Sequence, residues 1–332
     1  MLLMLPYGKN QRAIFRSDKK HPTKMRILLP FIFLLATARS QAQAFDKVVP
    51  DQDYPYNHYL ALEPADSVRG ALLLFPGFSQ TVESVFGESQ LPNVAYTNGL
   101  LTLVIAGGSF LAADDTWNAR TNFLLNHALD KYQIPADKVV IGGFSAGGTL
   151  ALGYTEACYR YPDAFPVQPR AVFAVDSPID LFEIWDYFER EIARDFSEAG
   201  TNEARFIRQR MIDTYGTPED NPDKYQQLSP FRVNQSKPGN EQYLLDVAVR
   251  LYYEVAIDWQ LHNRRRSVYD ANFLQGSDLI RALLDQGHQG AAFIQSERTG
   301  RRSNGLRHPH SWSIVDEVDC VQWLLEVLDP DD

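Results

Sequence analysis

Short apolar runs recur along the chain, separated by longer stretches of mixed polarity. Residues 71–75 (ALLLF), 101–105 (LTLVI), 139–142 (VVIG) and 171–175 (AVFAV) are almost continuously apolar, and 250–253 (RLYY) and 291–294 (AAFI) extend the series. A strand with one wet face alternates apolar and polar residues, whereas an unbroken run fits a strand covered on both faces. Between the runs, residues 118–132, 146–159, 273–285 and 311–328 carry a helical period. Strands alternating with helices predict an α/β fold, a mostly parallel central sheet with helices on both faces. One stretch breaks the rhythm. From about Ile179 to Asn240 the chain turns helical, charged and loop-rich (FEIWDYFEREIARDF, ARFIRQRMIDTYG, PEDNPDKY). Because it falls between two strands of the series, it predicts a helical insertion into a single domain spanning 45–332.

Composition narrows the class. The 332 residues are 45% hydrophobic and 22% charged, with Gly 20, Pro 19 and Cys 2. That balance excludes collagen-like, wholly disordered and disulfide-scaffold chains. No apolar run reaches the roughly 18 residues of a confident membrane span, which excludes a multi-pass membrane protein. Charge is uneven: residues 1–44 carry a net +7, so the rest of the chain carries −17. An acidic body is a poor partner for nucleic acid.

The basic head reads as a targeting segment. Met25 and Arg26 give a short positive region, 27–36 an apolar core, and Ala42-Gln43-Ala44 a small-x-small cleavage site. We expect 1–24 to be an upstream extension, 25–44 a signal peptide, and an exported chain, periplasmic or secreted, that starts at Phe45 and has no membrane span. The competing reading is an uncleaved N-terminal anchor. Cys158 and Cys320 fall on apolar helix faces and are expected as buried free thiols, with a disulfide left open.

The chemistry is concentrated in VVIGGFSAGG. It contains G-x-S-x-G as Gly143-Phe144-Ser145-Ala146-Gly147, preceded by a strand and followed by a helical segment. A serine on a sharp strand-to-helix turn needs small residues two before and two after it, so that the neighbouring backbone can close up. IPADKVVIGGFSAGG, the upstream LLLFPGFSQ and the late HPHSW together resemble the α/β-hydrolase superfamily, especially its serine esterases, over about residues 60–328 without the insertion. The resemblance implies a catalytic triad and an oxyanion hole made by the backbone N–H groups of Phe78 and Ala146, with Pro-Gly standing where many members have His-Gly.

His310, just before Ser311-Trp312, is favoured over His308 as the general base. The acid stays open. Asp270 is preferred because Asp270-Ala-Asn-Phe-Leu resembles the family's run into a helix; Asp258, after an earlier strand, and Asp176, at the end of another, are the alternatives. H-x-H can bind metal, but no further ligands stand at metal spacing, so neither a metal nor another cofactor is expected. Arg265, Arg266 and Arg302 precede the acid or the base in an acidic body and are candidates to bind an anionic group on the substrate. The expected activity is hydrolysis of a small-molecule or carbohydrate ester. A serine peptidase and a catalytically silent binding protein of the same fold are the alternatives.

Overall fold

Helices flanking the apolar runs allow them to pair as strands buried on both faces. In the computed structural model, which describes residues 44–65 and 67–330, the strands are β1 Asp46–Val48, β2 Tyr59–Leu62, β3 Gly70–Phe75, β4 Leu100–Val104, β5 Val139–Phe144, β6 Ala171–Val175, β7 Ala248–Glu254 and β8 Ala291–Ser296. They form one sheet in the order β1-β2-β4-β3-β5-β6-β7-β8. β4 through β8 run parallel in that order, while β1 and β2 are antiparallel additions at the edge. Every residue of β3, β4, β5 and β6 is buried. The six apolar runs therefore become strands, each extended by at most a few residues. β1 and β2 have no counterpart in the pattern, because three polar-led and four apolar residues are too few to show a period.

The strand period of two divides the core. Leu73, Ile141, Val172 and Leu251 face one apolar cluster, together with helices α3 Asp115–Tyr132, α4 Ala146–Arg160 and α9 Asn272–Asp285. Leu72, Leu74, Val140, Phe173 and Val175 face a second cluster with α2 Leu91–Thr97 and α10 Glu317–Leu328. Each fully buried aliphatic side chain contributes on the order of 1.5–3 kcal/mol of transfer free energy, so this two-sided burial dominates the stability. Three short helices, α1 Ser84–Glu88, α2 and α8 Ile257–Arg264, were not legible from the sequence. α8 buries none of its residues, which removes the apolar stripe that would have marked it.

One predicted helix is divided. Within residues 311–328 a single tight turn, Trp312–Ile314, is separated from α10 by Asp316, whose side chain accepts the Asp319 N–H and caps α10. The break places His310 ahead of the fully buried Trp312 rather than on a helix. The insertion forms α5 Leu181–Arg194, α6 Glu198–Tyr215 and α7 Pro222–Leu228, closed around its own cluster of Leu181, Trp185, Phe188, Ile207, Met211 and Tyr225. Among the described residues no helix is long and apolar enough to cross a membrane. The expected extension and signal, apart from Ala44, lie outside the described residues.

Cys158 on α4 and Cys320 on α10 are both fully buried, in clusters on opposite faces of the sheet. They are free thiols, and burial pushes each up to about 12. In the native protein neither is expected to react with an aromatic disulfide reagent, and both should react in denaturant. A native thiol titration that already counts two would contradict this packing.

Candidate active site

β5 ends at Phe144 and α4 begins at Ala146, leaving Ser145 on the turn with φ 56 and ψ −127. A non-glycine residue takes such dihedrals only when its surroundings enforce them. Enforcement comes from close backbone approach. A Cβ on Gly143 would lie 2.1 Å from the Gly147 carbonyl oxygen, and one on Gly147 would lie 2.2 Å from that of Phe75. The spacing of G-x-S-x-G is thus a steric requirement of this turn. The Ser145 N–H donates to Val175 O at 2.9 Å, which fixes the turn to the end of β6.

Ser145 and His310 are brought together across the fold. The Ser145 hydroxyl lies 3.0 Å from His310 Nε2, and His310 Nδ1 lies 2.7 Å from Asp176 Oδ2. Donation by Ser145 Oγ–H to Nε2 and by Nδ1–H to the carboxylate requires the Nδ1-protonated tautomer. Asp176 follows β6 directly, in the left-handed region at φ 42. Its N–H donates to Tyr252 O, and the Asn272 side-chain amide donates to its carbonyl at 2.9 Å and reaches Oδ1 at 3.4 Å. The imidazole packs on the Phe144 ring, with centroids 4.6 Å apart, and Phe144 packs in turn on Trp312.

The other two acids lie in different surroundings. Asp270, preferred from the sequence, accepts from Arg190 Nε at 2.8 Å, Arg194 Nη2 at 2.7 Å and the Ser267 N–H at 2.9 Å. Burial raises its pKa, but these hydrogen bonds and the two guanidinium charges outweigh burial and hold it below the usual carboxylate range. It fastens α5 to the segment before α9, and its resemblance to a family run was local only. Asp258 sits exposed in the first turn of α8, where its carbonyl accepts from His262. Of the three candidate acids, Asp176 is the one whose carboxylate lies against His310.

The loop that carries His310 is gripped by a residue that sequence reasoning passed over. Glu254, the last residue of β7, has a buried carboxylate that accepts the N–H of Arg298 at 2.7 Å and of Gly300 at 2.8 Å, and it pairs with Arg307. The His308 N–H then donates to Gly300 O at 3.0 Å. An acid closing the run RLYYE was the available signal. His308 faces away from Ser145: Arg264 Nη2 donates to its Nε2 at 3.0 Å, and its Nδ1–H donates to the His310 carbonyl at 3.1 Å. Burial first, and then the neighbouring His310, Arg302 and Arg264, push its pKa down to about 3, so the ring is neutral.

Phe78 lies in the loop after β3, which pairs with β5 in register Phe75 to Gly143 and so leaves the sheet beside Ser145. Within that loop the Gly77 N–H donates to Gln80 Oε1 and the Ser79 N–H to Gly108 O. Among the described residues, the N–H groups of Phe78 and Ala146 have no hydrogen-bond partner. Both are available to a negative oxygen. The Phe78 ring also meets Phe206 of α6, so the insertion reaches this loop.

The arginine candidates divide. Arg266 grips Glu191 of α5 with Nε and Nη2, both at 3.1 Å. Arg265 ends α8 with its guanidinium 5.5 Å from the Phe196 ring. Arg302 lies 5.3 Å over Phe144, the ring beneath His310, with Nη1 3.4 Å from Glu88. Among the described residues, no three His, Cys, Asp or Glu side chains are grouped to hold a metal ion.

In sequence the chain matches no protein-family model and no curated protein. Solved structures are similar across most of its length at low identity. MPT51 of Mycobacterium tuberculosis aligns with a TM-score of 0.56 at 12% identity, covering 86% of this chain and 100% of that one. The substrate-bound fluorophosphonate-binding serine hydrolase F of Staphylococcus aureus gives 0.52 at 10%, covering 85% and 98%. A hyperthermophilic esterase from the archaeon Pyrobaculum calidifontis gives 0.51 at 14%, covering 82% and 79%. With this sheet order, the strand-to-helix turn at Ser145 and the inserted helices α5 to α7, the chain has the α/β-hydrolase fold, of the kind found in esterases and serine hydrolases.

Proposed function

We propose that this protein is an exported serine hydrolase that cleaves carboxylic esters through an acyl-enzyme. The observation that carries the reading is His310, with one ring nitrogen 3.0 Å from the Ser145 hydroxyl and the other 2.7 Å from Asp176. His310 Nε2 takes the hydroxyl proton as Ser145 Oγ attacks the ester carbonyl. Asp176 holds the reactive tautomer and stabilises the imidazolium that forms. The tetrahedral oxyanion is received by the N–H groups of Phe78 and Ala146, and each such donor is typically worth about 3–4 kcal/mol in the transition state. His310 then returns the proton to the leaving alkoxide. Water, deprotonated by the same nitrogen, attacks the acyl-enzyme and frees the acid. The inserted helices, which touch the Phe78 loop, act as a lid that selects the substrate. Small-molecule and carbohydrate esters are both compatible with export and this chemistry.

Four expectations test the reading. With a short-chain aryl ester, Ser145→Ala should abolish turnover and labelling by a fluorophosphonate, and Asp176→Asn should lower kcat by roughly 10³–10⁴. Asp270→Asn should stay within about tenfold of the parent rate while losing on the order of 1–3 kcal/mol in urea denaturation, because it removes the charge that both guanidiniums pair with and turns one accepting oxygen into an N–H donor. The opposite ranking of the two Asp variants would make Asp270 the acid. In an NMR titration the His308 ring should remain neutral from pH 8 to pH 5, since protonation would add a cation beside Arg264 and Arg302. Its folded pKa lies below the ordinary value near 6.5, so its contribution to stability is complete above about pH 6.5 and declines as pH falls toward 3. Protein recovered outside the cytoplasm should begin at Phe45 on N-terminal sequencing; a chain retaining residues 25–44 would favour an anchor.

A further inference from the structure

The loop that carries the general base holds a second imidazole, which takes no part in the proton transfers. His308 lies two residues before His310, with the two rings 6.3 Å apart. Both of its nitrogens are committed. Arg264 Nη2 lies 3.0 Å from Nε2, and the His310 carbonyl oxygen lies 3.1 Å from Nδ1. A guanidinium only donates and a carbonyl only accepts, so these two partners fix the tautomer: Nε2 is the bare acceptor and Nδ1 carries the proton.

His308 is itself held firmly. Arg264 closes α8, and two residues later Arg266 grips Glu191 of the inserted helix α5 through Nε and Nη2. The Trp259 ring of α8 meets the His308 ring edge-on, with centroids 4.9 Å apart. On the loop side, the His308 N–H donates to Gly300 O at 3.0 Å and its carbonyl accepts from the Ser311 hydroxyl at 3.0 Å. Among the described residues, no donor other than His308 Nδ1–H reaches the His310 carbonyl. The direction of that carbonyl sets the peptide plane leaving His310, and with it the direction in which the side chain departs. Displacing a reacting group by about 1 Å can cost on the order of 100-fold in rate.

Resting on the hydrolase reading above, we propose that His308 is a positioning residue: its Nδ1–H holds the His310 carbonyl and so aims the imidazole at Ser145 and Asp176, while Arg264 keeps His308 in the tautomer that can donate.

Two amides that each copy one ring nitrogen test the assignment. In His308→Asn the amide stands where Nδ1 was, so it still donates to the His310 carbonyl but no longer reaches Arg264. In His308→Gln it stands where Nε2 was, so it still accepts from Arg264 but leaves the carbonyl without a donor. With 4-nitrophenyl butyrate, His308→Asn should keep kcat within about fivefold of the parent. His308→Gln should lower kcat by roughly 10- to 100-fold, with KM within about threefold. The low-field proton NMR signal of His310 Nδ1–H bonded to Asp176 should persist in the first variant and broaden or vanish in the second. Arg264→Met should lower kcat in the parent and add nothing beside His308→Asn, which has no tautomer to fix. The two amides are alike in polarity, so a general loss of packing lowers both and does not reproduce the ranking. A kcat for His308→Gln equal to or above that of His308→Asn overturns the proposal, and an Arg264→Met cost that is the same in both backgrounds overturns the part given to Arg264. Either result leaves the hydrolase reading intact. Absence of both turnover and fluorophosphonate labelling in the parent would remove the two together.

Discussion

The hydrogen bond between His310 and Asp176 spans residues 134 apart in the chain, and the site exists only where the ends of β5, β6 and β8 converge. Local sequence supplies none of this proximity. It comes from the parallel order of the strands, each carrying its next loop to the same edge of the sheet. Ser145 leaves β5, Asp176 leaves the adjacent β6, and His310 arrives on the long loop after β8, beyond β7, so the three groups meet at one end of the sheet. Burial of both faces of β3 to β6 makes that edge rigid enough to hold a strained serine.

The position of the acid has a physical counterpart at the end of β7. Glu254 occupies that end, and its carboxylate is consumed by two backbone N–H groups and Arg307, which shape the loop leading to His310. With three donors on it, this buried carboxylate is committed to the loop. Asp176, one strand over, keeps an oxygen for His310 because Asn272 and Tyr252 satisfy its backbone groups instead. Two acids at neighbouring strand ends thus divide the work of holding the loop and orienting the ring.

The insertion is tied down by charge as well as by apolar packing. Asp270, Glu191, Arg190, Arg194 and Arg266 form a connected set of ion pairs between α5 and the segment that precedes α9. The carboxylates are almost wholly buried and the guanidiniums partly exposed, so the set fixes orientation more than it adds net stability. It anchors the helices whose Phe206 meets the Phe78 loop. Asp270 belongs to this anchoring network, whereas Asp176 is the aspartate set against His310.

Unbroken apolar runs determined the α/β class and six of the strands, because burial on both faces removes the polar alternation that other strands show. The glycine spacing determined the turn at Ser145, since only small residues permit the backbone contacts at Gly143 and Gly147. The order His-Pro-His-Ser-Trp ahead of the last helix favoured His310 over His308, and the fold sets His310 against Ser145. Beyond those features the chain was silent. Three aspartates had similar local settings, and only the packing of strand ends selected Asp176. The short edge strands and the exposed α8 were invisible because a three-residue strand and a helix without a buried face leave no period in a sequence. Periodicity reports how a segment meets solvent, whereas the identity of a partner more than a hundred residues away is fixed only by the fold.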